Sequence, residues 1–165
     1  MKFLIVPCSQ DLDTMLSMYL YYQFILKTDF EVSCYIDKQV NSSVFNLLKE
    51  NNIIFNISDR IKDEDKLIIL NKGKFSLNNE INKDKVTEII SLKQINDIEF
   101  IDANIKIDKE VKLLTTIIVE RYREYELNFP KEIILLLIKI YDENNIKLKQ
   151  RDIIAKEYIK LLYVD

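Results

Sequence analysis

The chain has 165 residues, 48% hydrophobic and 31% charged, which suits one globular domain with a real core rather than a disordered or fibrous chain. A net charge of -3 excludes a wholesale electrostatic grip on nucleic acid, so any such contact needs a local Lys/Arg patch. Histidine is absent, two cysteines (Cys8 and Cys34) are too few for a disulfide framework or a Cys-built zinc site, and the one glycine, Gly73, excludes a glycine-rich phosphate loop.

In chain order, Phe3-Leu4-Ile5-Val6 is an apolar run ended by Pro7 and predicts a strand buried on both faces. Residues 13–27 predict a helix with Met15, Met18, Tyr19, Tyr22 and Ile25 inward, Asp13 as its cap and Tyr21 outward. Residues 32–36 return to strand character, and 41–52 read as a helix with Val44, Leu47 and Leu48 on one side. Ile53-Ile54-Phe55 and Leu67-Ile68-Ile69-Leu70 read as two more strands, 86–92 as a short helix, and 98–101 as a strand. Helices follow over 111–125, from Asn128-Phe129-Pro130 through a deeply buried 133–140, and over 150–162 with Ile153, Ile154, Tyr158 and Leu161 inward. Short buried strands alternating with helices predict an α/β fold, a mostly parallel sheet flanked by helices on both faces, in a single domain. The start of the chain lacks the pattern of a signal peptide, and no run of roughly 18 apolar residues occurs, so a cytoplasmic chain without a membrane span is expected.

Ligands of parallel sheets lie beyond the carboxyl ends of the strands. After the first strand stand Cys8, Asp11 and Asp13. An Asp-x-Asp pair there holds a hard divalent cation, or else Asp13 caps the helix and Asp11 is solvated. Two carboxylates so close need a cation or a helix N-terminus to be tolerated. After Leu70 come Asn71, Lys72, Gly73 and Lys74, and after Ile101 come Asp102, Ala103 and Asn104. Tyr141-Asp142-Glu143 closes the buried helix.

Taken in order, Leu4-Ile5-Val6-Pro7-Cys8-Ser9-Gln10-Asp11-Leu12-Asp13-Thr14, Leu67-Ile68-Ile69-Leu70-Asn71, Ile98-Glu99-Phe100-Ile101-Asp102-Ala103-Asn104, Lys112-Leu113-Leu114-Thr115-Thr116, Ile138-Lys139-Ile140-Tyr141-Asp142 and Gln150-Arg151-Asp152-Ile153-Ile154-Ala155 resemble the successive motifs of one enzyme family. This is the N-terminal domain of the DHH phosphoesterase superfamily, in particular manganese-dependent (family II) inorganic pyrophosphatases and exopolyphosphatases. The resemblance covers nearly the whole chain. It implies a Rossmann-like DHH-type domain in which Asp11, Asp13 and Asp142 match metal-binding aspartates. The other positions depart from the pattern: Cys8 and Ala103 stand where the family has metal-ligating histidines, Asn71 where it has an Asp, and Asn104 where it has a second His, while Asp102 retains the acid. Three carboxylates would hold at most one weak Mg²⁺, Ca²⁺ or Mn²⁺, not the metal pair that activates water in such enzymes. The family's second domain, which grips phosphate, would begin where this chain stops.

The expected function is therefore a catalytically degenerate DHH-like pseudoenzyme without a cofactor, serving as a binding or regulatory module. Its partner would be a protein or a ribonucleoprotein (a ribosome-associated dormancy factor is one version), a second copy of itself, or an active relative, and not a membrane. Candidate RNA or phosphate contacts are Lys72, Lys74, Lys83 and Lys85, or Lys147, Lys149 and Arg151. The alternatives are a residual metal-dependent pyrophosphatase and a nucleotide- or phosphate-sensing domain without turnover.

Overall fold

The computed structural model describes residues 1–37, 39–73, 81–95 and 99–164. Six strands, β1 (Lys2–Pro7), β2 (Glu31–Tyr35), β3 (Ile57–Ser58), β4 (Lys66–Asn71), β5 (Val86–Ser91) and β6 (Asn104–Ile107), pair in parallel in the order β3-β2-β1-β4-β5-β6. With them go α1 (Leu12–Leu26), α2 (Ser42–Glu50), α3 (Leu114–Glu124), α4 (Ile134–Glu143) and α5 (Gln150–Val164). The fold is α/β.

The chain runs outward from β1 to β3, returns to β4 beside β1, and runs outward again on the other side. Right-handed crossovers then place the connections of the two halves on opposite faces of the sheet. The two apolar cores follow that division. Ile5, Ile68, Leu70 and Ile90 pack into a large core to which all five helices contribute, whereas Leu4, Val6, Leu67, Ile69 and Ile89 pack into a smaller one closed by Ile81, Ile95 and Phe100, so among the described residues the helices cover one face of the sheet and not both as expected. Strands β1 and β4 are buried on both faces, which explains their uninterrupted apolar runs.

Helix α1 lies between the sheet and helices α3 and α4, and every residue from Asp13 to Tyr22 is buried. Tyr21, expected outward, is therefore inside. Its hydroxyl donates to Glu88 on β5 and accepts from Arg121 on α3 at 2.9 Å, while Arg121 also pairs with Glu88 at 2.5 Å. One half-buried ionic knot thus ties α1, β5 and α3 together.

Several expected elements differ. Residues 86–92 contain strand β5 rather than a helix: Val86, Thr87, Ile89 and Ile90 are β-branched and fit a pleated, half-buried surface. Ile53-Ile54-Phe55 is not a strand, and the chain pairs only at Ile57 and Ser58. Ile98 lies outside the described residues; Glu99 to Ile101 form no strand, and β6 begins at Asn104. Helix α4 is not buried all round, since Leu135 is exposed. On α5 the inward residues are Asp152, Ala155, Lys156 and Ile159, leaving Ile153, Ile154 and Leu161 exposed. Among the described residues no helix is long and apolar enough to cross a membrane.

Candidate functional site

The order of the sheet reverses between β1 and β4, and the crevice beyond their carboxyl ends is where such a sheet presents a ligand site. Two segments meet there. After Pro7 ends β1, the turn Cys8-Ser9-Gln10 leads into α1, whose N-cap is Asp11 rather than Asp13. Asp11 has extended backbone angles, and its carboxylate accepts from the Thr14 amide at 2.8 Å and from the Ser9 hydroxyl at 2.7 Å. After Asn71 ends β4, Lys72 reaches across to the same place.

Asp13, in the first turn of α1, is buried and turned toward the start of α3, about a hundred residues later in the chain. Its Oδ1 accepts from the Thr115 amide at 3.0 Å and from the Thr115 hydroxyl. Its Oδ2 accepts from the Leu114 amide at 2.9 Å and faces Lys72 Nζ at 3.1 Å. A carboxylate has about four lone-pair sites, so every acceptor position of Asp13 is used. Lys72 also lies 3.9 Å from Asp11. The two carboxylates therefore meet both conditions that tolerate them: a helix N-terminus and a cation, the cation being an ammonium of this chain.

The start of α3 is held from a second side. Its N-cap residue, Leu113, has no capping side chain of its own. The fully buried Asp152 instead accepts from the Lys112 amide at 2.7 Å, the Leu113 amide at 3.3 Å and the Thr116 hydroxyl at 2.6 Å, and from the Lys149 amide at 2.9 Å where α5 begins. One acid thus caps two helices. The resemblance gives Asp152 no role, although an Asp in the first turn of a helix is a capping signal.

The remaining positions that the resemblance singled out are dispersed. Cys8 packs against the smaller core, its amide donating to the Leu70 carbonyl at 2.9 Å, and burial pushes its thiol up to about 11. A metal would have to displace that proton, at a cost that burial increases. Asn71 is buried and donates to the Ser91 hydroxyl at 2.8 Å and the Gly73 carbonyl at 3.2 Å; residues alternate along a strand, so its amide turns away from the side on which Lys72 meets Asp13. Asp102, Ala103 and Asn104 sit at the wrong end of the sheet: Asn104 opens β6 and is in register with Glu88, whereas the carboxyl end of β6 is followed by Asp108, Lys109 and Glu110. Asp108 is engaged by Arg151 at 2.8 Å.

Asp142 does not join Asp11 and Asp13. Adjacent helix residues point about 100° apart, so with Tyr141 buried and bonded to the Thr116 hydroxyl at 2.8 Å, Asp142 faces out. It pairs with Lys156 at 2.7 Å, which holds its carboxyl below the ordinary value. Among the described residues no three of His, Cys, Asp and Glu are placed to hold a metal ion together.

The expected basic clusters also separate. Lys74 lies outside the described residues. Lys83 and Lys85 belong to the short turn before β5, at the amino end of the strands, where Lys83 pairs with Glu99 at 2.6 Å. Lys147 is on the turn between α4 and α5, and Arg151 is spent on Glu120 and Asp108. Lys72 and Lys149 instead share a cavity of about 580 Å³ with Lys93, Lys109 and Lys112. A second crevice of about 540 Å³ runs between the ends of β1 and β2, lined by Cys8, Ser9, Gln10, Tyr35 and Asn41 among others. Lys72, Lys93 and Lys109 each follow a strand within two residues, so a search of strand ends would have found them had β5 and β6 been placed correctly.

No protein-family model matches this chain, and no curated protein shows significant similarity to it.

Proposed function

We propose that the chain is a non-catalytic binding module: a phosphoesterase-type α/β domain that keeps the ligand crevices at its strand ends without hydrolytic machinery. The observation that carries this reading is the saturation of Asp13. Its four acceptor positions are taken by two amides, a hydroxyl and the Lys72 ammonium. Neither a metal ion nor an attacking water can use that carboxylate unless Lys72 or the start of α3 moves away. The donor set of the resembled enzymes also does not fit here, because alanine cannot ligate, Asn71 is neutral and turned away, and Asp142 is paired elsewhere.

The phosphate-sensing version of this reading draws support from the five lysines around one cavity. Support for a protein, ribonucleoprotein or second copy as partner is general: an α/β domain with its crevices open and its chemistry removed still binds.

Phosphate release from pyrophosphate and short polyphosphates, assayed with Mn²⁺, Mg²⁺ and Co²⁺, tests the proposal. The expected rate is that of the buffer with metal alone. Turnover that disappears in Asp13→Ala would show a working metal site and overturn it.

A further inference from the structure

We infer that the five-lysine cavity at the carboxyl ends of β4, β5 and β6 is a binding site for an oligophosphate chain, the polyanion of inorganic tripolyphosphate or of a nucleoside triphosphate. The inference rests on the non-catalytic reading in one respect only, that the phosphates are held and not cleaved.

The lysines come from four connections: Lys72 after β4, Lys93 after β5, Lys109 and Lys112 between β6 and α3, and Lys149 before α5. Their convergence is a product of the fold, since the chain as a whole carries a charge of -3. Among the described residues that line the cavity there is no carboxylate, and most of its wall is apolar, from Leu92, Val111 and the aliphatic stems of the longer side chains. Its 580 Å³ lies within the range of small-ligand sites.

The buried acids nearby are already engaged. Asp13 and Asp152 hold the start of α3, and Asp108 holds Arg151. Lys72 has its ion pair with Asp13, and Lys149 Nζ donates to the Lys109 carbonyl. Lys93, Lys109 and Lys112 have no ion-pair partner among the described residues. Ammonium groups that converge without counter-charge raise one another's energy, and a bound anion relieves this.

The chemistry selects phosphates in a chain. Lysine ammoniums are point charges with three rotatable donors, suited to tetrahedral oxygens presented in several directions rather than to a single planar carboxylate. The amides that open α3, the usual anion site of a helix, are already bonded to Asp13 and Asp152, so the contacts must come from side chains. No aromatic residue among those described lines the cavity, so it offers no stacking platform for bases and does not suit single-stranded RNA.

Isothermal titration of the full chain with inorganic tripolyphosphate at low salt tests this. Binding is expected at one site per chain, weakened by added salt. The variant K109Q/K112Q, and independently the variant K93Q/K109Q at two exposed positions, should each lose at least about 30-fold in affinity, because each removes two charged hydrogen-bond donors. Lys83→Gln with Lys85→Gln, at the other end of the sheet, should change affinity less than about 3-fold by the same reasoning. Adenosine triphosphate binding as tightly as tripolyphosphate or more weakly points to a free phosphate chain, and tighter binding to a nucleotide. Absence of tripolyphosphate binding, or equal losses in the two ends' variants, would overturn the inference. Phosphate release measured on the same samples separates the two ideas: binding with turnover contradicts the non-catalytic reading while leaving the site in place.

Discussion

Asp13 shows how a residue that resembles a metal ligand is reassigned by its surroundings. A buried carboxylate is tolerable only when its oxygens are bonded and its charge is balanced. Here two backbone amides and a hydroxyl provide the bonds, and Lys72 provides the charge. From sequence, the Asp11–Asp13 pair was legible as one that needs a cation or a helix N-terminus. Which helix, and whose cation, was not, because Leu114 and Thr115 lie about a hundred residues away. The cap itself was assigned to the wrong acid: the extended backbone falls at Asp11. Cys8 supplies a test at this scale. Burial raises its thiol from 9.0 to about 11, so the folded state favours the proton. The stabilisation from this shift is full below pH 9, where the unfolded thiol is also protonated, and fades as pH climbs through 9 toward 11. Alkylation of native protein at pH 8 should therefore run about 100-fold slower at Cys8 than at a free cysteine, and speed up between pH 9 and 11. Rapid labelling at pH 7 would mark an activated thiolate, against this assignment.

Among the elements, α3 has the least self-sufficient start. Leu113 cannot cap it, so Asp13 and Asp152 do so from α1 and α5, and packing follows from capping. This decides which side of α5 turns inward. The apolar residues of that helix are spread around it, and periodicity alone admitted a face of Ile153, Ile154, Tyr158 and Leu161. Once Asp152 is bonded to the start of α3, the residues one and two turns on, Ala155, Lys156 and Ile159, must face the core instead. Replacing Asp152 by Ala leaves three amides and a hydroxyl without their acceptor and should cost about 3–5 kcal/mol. Asp142→Ala should cost no more than about 1 kcal/mol, since that carboxylate is half in water and Lys156 keeps a bond to Asn145. Urea denaturation of both variants checks the ranking. Near-equal losses, or a larger one at Asp142, would contradict this division of roles between the two acids.

At the scale of the whole molecule, alternating apolar runs and helices made the parallel α/β sheet legible, because strands buried on both faces have little other use for such runs. The strand order and the outer strands were not legible. The apolar residues Val86, Ile89, Ile90 and Leu92 also fit helical spacing, and strand β5 carries Glu88, which only the fold brings against Arg121 and Tyr21. Misplacing β5 and β6 moved the expected third motif to the amino end of the sheet and hid the lysines that follow the true strand ends. The candidate site was therefore half visible: the β1–α1 turn was seen, and its closure by Lys72 and the adjoining basic cavity were not.

The claim that Lys72 and the start of α3 have replaced metal at this turn is tested most directly by titrating the chain with Mn²⁺ and following free ion by electron paramagnetic resonance. The account predicts no site tighter than about 1 mM, the weak end for carboxylate sites. Two tightly bound Mn²⁺ per chain, released by Asp11→Ala or Asp13→Ala, would contradict it.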